Sequence, residues 1–135
     1  MTKRLFYSLA VILFAAASLS AQPPITADIP FPFHMGDSIL PPGTYTTNMH
    51  IAGGAVLALR SDDGKSFRLA MTNAVHSSAG PAKPAFVFHK YGDEYFLSQI
   101  WTGAGEGGRE LVKSRRENGL AAATKHGIET VLATR

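Results

Sequence analysis

A chain of 135 residues with 45% hydrophobic and 17% charged side chains has the length and composition of one domain with a buried core. It holds no cysteine, which excludes disulfides, thiolate metal sites and a cysteine-borne lipid anchor. Of its 13 Lys and Arg, Lys3 and Arg4 belong to the leader described next; the remaining 11 nearly balance 10 Asp and Glu, which argues against a nucleic-acid partner.

Lys3 and Arg4 precede an apolar run from Leu5 to Ala17, and small residues follow at Ser18, Ser20 and Ala21. That order predicts a secretory signal peptide over 1–21, with cleavage after Ser20 or Ala21. The run is shorter than the roughly 20 residues of an ordinary membrane span, so no stable span is expected after cleavage. Export to the periplasm or beyond is the expectation, with 22–135 forming a single β-rich domain.

Ile25, Ala27, Ile29, Phe31 and Phe33 alternate with polar residues and prolines, a period of two that predicts a strand. Pro30 and Pro32 lack an N–H and confine that strand to an edge. Gly36-Asp37 turns the chain, and Pro42-Gly43 suits the centre of a type II turn. Tyr45, Thr47 and Met49 share a face of the second strand, with Gly53-Gly54 as the next turn. Leu57 and Leu59 mark the third strand's buried face. Asp63-Gly64 follows, and Phe67, Leu69 and Met71 alternate along a fourth.

Ser77 to Pro84 reads as a loop inside one domain. Ala85–His89 and Tyr95–Thr102 form a hairpin, the second arm apolar on both faces and therefore central. Tyr95, Leu97, Gln99 and Trp101 fall on one of those faces. The glycine run Gly103–Gly108 is a loop without the Lys-Ser/Thr of a phosphate loop. Ser114 and Glu117 have capping-box spacing, placing a short helix over about Arg115–Thr124, with Gly127 suited to cap its end. Ile128, Thr130 and Leu132 alternate in a last strand. About seven strands and one C-terminal helix predict an all-β fold, a small antiparallel β-sandwich or barrel.

Two stretches carry a resemblance. One is Ile29-Pro30-Phe31-Pro32-Phe33, then Gly36, then Leu40-Pro41-Pro42-Gly43-Thr44-Tyr45. The other is the run from Phe88 to Trp101, through Tyr91-Gly92-Asp93-Glu94-Tyr95-Phe96-Leu97, followed by Gly108-Arg109-Glu110-Leu111. Together they resemble short exported proteins abundant in acidobacterial genomes, a group without an assigned activity. The resemblance implies export and a shared fold. The Leu-Pro-Pro-Gly-Thr-Tyr segment alone is similar to a turn of prealbumin-like β-sandwich domains.

His34, His50, His76, His89 and His126 show no H-x-H or H-E-x-x-H spacing, so a metal or catalytic site would be assembled through space. His34, His50, His89, Asp93 and Glu94 are the groups for such a site in a hydrolase. No G-x-S-x-G elbow is present, and no cofactor is implied. The aromatic hairpin is the more suggestive feature. Tyr91, Tyr95 and Trp101, with Arg109 beyond the glycine run, are the candidate ligand-binding residues. The sequence thus favours a non-enzymatic exported domain that binds an envelope protein, glycan or small ligand. A hydrolase and an assembly protein pairing through an open edge, such as the last strand, are the alternatives. The oligomeric state is left open.

Overall fold

The computed structural model describes residues 24–51, 54–103 and 107–134. The expected leader over 1–21, Gly53, the glycine-run residues 104–106 and the side chains of Met49 and His50 lie outside the description. The fold is all-β with one short helix. Its elements are β1 (Ile25–Ile29), β2 (Phe33–Met35), β3 (Ser38–Leu40), β4 (Gly43–Ile51), β5 (Val56–Ser61), β6 (Phe67–Val75), β7 (Ala85–Tyr91), β8 (Glu94–Trp101), β9 (Gly108–Leu111), α1 (Arg115–Ala123) and β10 (Gly127–Leu132).

The strand count exceeds seven for local reasons. Pro30 and Pro32 end β1 at Ile29, so the expected first strand becomes two. The second piece folds with β3 across a two-residue turn at Gly36-Asp37, where Gly36 takes a φ of +59°. The end of the glycine run is itself a strand, β9, wedged between β6 and β8. Gly127 opens β10 instead of capping α1.

The strands run β1-β4-β5-β6-β9-β8, with β7 on the other edge of β8 and β10 beyond β7. Among the described residues all pairings are antiparallel except one parallel bridge between β2 and β8, His34 to Phe96. The sheet curls until its ends meet: just past β10, Thr134 N–H donates to the Thr26 carbonyl of β1 at 2.8 Å.

Inside, Ile25, Ala27 and Ile29 of β1 face Leu57, Leu59, Phe86, Phe88, Leu97 and Ile100. Phe33 stands edge-on to both Tyr45 and Phe88, at 5.1 and 5.4 Å between ring centres. Tyr45 crosses the core and its hydroxyl donates to the Pro41 carbonyl at 2.5 Å, so the proline-glycine turn is tied to the ring it delivers. Burial, with the Asp63 charge adding to it, pushes that phenol above its ordinary range.

Two strands place their side chains in ways that the alternation alone leaves open. On β6 the alternation is present, but Phe67, Leu69 and Met71 point outward, 52–63% exposed. Ala70 packs toward the core and Thr72 is buried, its hydroxyl donating to the Gly54 carbonyl at 2.9 Å. The outward stripe continues onto exposed Val112. Among the described residues no strand pairs the second edge of β6 before Thr72, and the Arg68 guanidinium donates there to the Phe67 carbonyl at 2.8 Å. On β8 a bulge at Ser98 shifts the register against β7, so Leu97 and Ile100 both reach the core.

Thr47, 1% exposed, is the one described side chain whose buried oxygen lacks a hydrogen-bond partner. Thr47→Val keeps the shape and removes that desolvated hydroxyl, so it is expected to stabilise the fold by about 1 kcal/mol. Phe88→Ala, by contrast, should cost about 3–5 kcal/mol. Urea unfolding of the two variants beside the parent checks both signs.

Candidate functional site

The four residues nominated for ligand contact do not form one face. Tyr91 pairs with Glu94 and Trp101 with Ala85, at opposite ends of the β7–β8 hairpin. Both rings are buried. Trp101 is enclosed because a side chain at Gly80 or Gly108 would come within 2.8 Å of its ring, so only glycine lets those backbones lie flat on it. Tyr95 is half-buried and stacks on Phe31 with ring centres 3.8 Å apart. Arg109 straps β9 to β6, its Nε and Nη2 donating to the hydroxyl and carbonyl of Thr72 at 2.9 Å each.

Polar groups gather instead on the outer side of β8, where the β2–β3 hairpin and α1 flank it. The parallel bridge lays the His34 ring on Phe96, 4.3 Å away and 9° from coplanar. His34 Nε2 then lies 3.3 Å from Glu94 Oε1 at the start of β8. Arg116, in the first turn of α1, donates to the same oxygen from Nε at 3.0 Å and Nη2 at 2.6 Å. These hydrogen bonds, acting against partial burial and helped by the Arg116 and His34 charges, hold the Glu94 carboxyl below the usual glutamate range. Glu94 Oε2 and the Asp37 carboxylate take no hydrogen bond from described residues. His34, Gly36, Asp37, Ile39, Glu94 and Arg116 line an open pocket of about 340 Å³.

A second cluster lies beside it. Glu117, 4% exposed, is the buried residue of α1. Its N–H donates to Ser114 Oγ at 3.1 Å, so half of the expected capping box forms. The carboxylate turns away from the cap. Its Oε1 lies 2.9 Å from His89 Nδ1 and accepts from the Tyr91 hydroxyl at 3.2 Å. The phenol is pushed above its ordinary range by burial first and by the Glu117 charge second. Ser98 Oγ stands 3.2 Å from His89 Nε2, and the His126 ring covers His89 at 4.6 Å.

The order Ser98–His89–Glu117 is that of a nucleophile, a base and its orienting carboxylate. Ser98 is only 5% exposed, however, and it does not line the pocket. The array is therefore best placed to tie α1 to β7 and β8. Among the described residues no three His, Asp or Glu side chains are placed to hold a metal ion. No helix among them is long and apolar enough to cross a membrane.

Of the five groups named for a through-space site, His34 and Glu94 meet in one pocket; His89 pairs elsewhere, and Asp93 stays in the β7–β8 turn. The helix-start pattern that places Glu117 says nothing of Arg116 or Glu117 as members of a site. The signal for Glu117 was its position: a first-turn carboxylate faces whatever the helix docks on.

A carboxyl held low in the folded state adds stability above its unfolded value and loses it as pH falls through the folded one. The stability difference between the parent and Arg116→Ala should thus be flat above the ordinary glutamate value of 4.5 and shrink below it. For so exposed a pair the plateau is about 0–1 kcal/mol. A difference that grows on acidification would contradict the pairing. Compared with protein-family models, curated proteins and solved structures, the chain matches none.

Proposed function

We propose that this is an exported β-domain that binds a small polyhydroxylated ligand, of the kind envelope glycans present, without transforming it. The observation that carries the reading is the pocket's donor and acceptor set. Glu94 Oε2 and Asp37 offer unengaged acceptors for vicinal hydroxyls, and Arg116 offers donors. Ile39, 66% exposed, gives an apolar wall for a ring face. The His34 ring is stacked on Phe96, so that wall of the site is fixed before a ligand arrives. Export is supported by the leader of Lys3, Arg4 and the apolar run that follows. The likeness to exported acidobacterial proteins agrees with it.

The hydrolase reading has support in the meeting of His34 and Glu94, two of its expected groups, in one pocket, and in Ser98–His89–Glu117, where the burial of Ser98 weighs against it. The assembly reading needs an open strand edge; the last strand, its example, does not offer one, whereas β6 before Thr72 does among the described residues. β10 has β7 on one side, and the chain just beyond it bonds to β1.

Titration of the purified chain with neutral mono- and disaccharides, followed by NMR, tests the proposal. Shifts are expected at His34, Asp37, Ile39 and Glu94, and Glu94→Gln together with Asp37→Asn should abolish them. Binding that maps instead to the β6 stripe, or the absence of binding across the panel, would overturn it.

A further inference from the structure

Helix α1 supplies one wall of the pocket, yet it is weakly attached. Six of its nine residues are exposed, and no strand lies closely along it. At nine residues it is too short to persist alone in water. Gly119 lowers its propensity further, and a side chain there would meet nothing within 4 Å. What fixes it are consecutive side chains of the first turn. Glu117 docks on His89 and Tyr91, and Arg116 docks on Glu94.

We propose that α1 is a hinged flap over the pocket, latched by the buried Glu117 carboxylate on His89 and Tyr91 and closed on ligand through Arg116. The proposal rests on the pocket reading for its ligand, though the motion of the flap stands apart from it. Because the latch and the pocket wall are adjacent residues, lifting Glu117 from His89 removes Arg116 from Glu94 as well. A ligand held by Arg116 must then favour the closed helix, and an open helix must weaken the ligand. The strands need not yield, since their core of Phe33, Phe86, Phe88 and Leu97 has no member from α1.

The absence of native cysteine makes the motion measurable. Ser98→Cys places a thiol behind His89, and Ala27→Cys places one in the fully buried core. Their reaction with a thiol reagent is followed in separate chains under native conditions. Ser98→Cys should react faster than Ala27→Cys, and adding Glu117→Gln should speed the first by roughly tenfold, as expected for loss of a charge-assisted hydrogen bond, while leaving the second unchanged. Tyr91→Phe removes the hydroxyl that donates to Glu117, leaves His89 over Ser98, and should act in the same direction. Equal rates at the two thiols, or no acceleration by either latch variant, would overturn the flap. A saccharide that binds at His34 should slow the Ser98→Cys reaction. If it binds without slowing it, the coupling is overturned. If no saccharide binds while the latch variants still accelerate labelling, the flap is supported and the pocket reading alone falls.

Discussion

Strand β8 pairs with β7 along its whole length on one edge and divides the other between β2 and β9. That division constrains the rest of the structure. β9 takes Gln99 to Trp101 and links β8 to β6, which continues the curled sheet. β2 takes only Phe96, and the single parallel bridge lays His34 across that ring. The start of β8 is thereby left to present Glu94 between the hairpin and the helix. The bulge at Ser98 falls where β8 passes from one partner to the other, and it lets Leu97 and Ile100 both serve the core.

Much of this architecture was legible because local chemistry and tertiary demand agree. Ile25, Ala27 and Ile29 face inward as their alternation requires. Ser114 caps the helix that its spacing predicts, and Gly36-Asp37 and Gly92-Asp93 turn where they should. The facing of β6 was illegible because a period of two fixes that faces differ, not which face is inside. Here the buried face belongs to Ala70 and Thr72, whose small side chains leave room for Arg109 to reach across. The Ser98 bulge shifts parity by one residue and leaves no compositional mark.

The candidate site was half legible for the same reason. His34 and Glu94 were named as separable candidates, but their meeting depends on a bridge between strands sixty residues apart. Tyr91 and Trp101 looked like a binding face because large aromatics serve cores and surfaces equally well. Which role each takes is decided by neighbours: two glycines that close on Trp101, and a glutamate that reaches Tyr91 from the helix. Glu117 illustrates how a residue chosen for one local task is recruited for another. Its amide completes the cap while its carboxylate is spent on β7.

The outward stripe on β6 has a consequence for the chain's behaviour at high concentration. A strand edge that no described strand pairs from Phe67 to Leu69, beside the outward side chains of Phe67, Leu69 and Met71, is the kind of surface that seeds cross-strand association between molecules. Arg68 sits in the middle of it, and its guanidinium already occupies the Phe67 carbonyl that an incoming strand would need. A newcomer that bonds at Phe67 must compete with a charged donor already seated on that carbonyl. Arg68 thus stands where gatekeeper side chains stand, a charge placed in the middle of an apolar stripe.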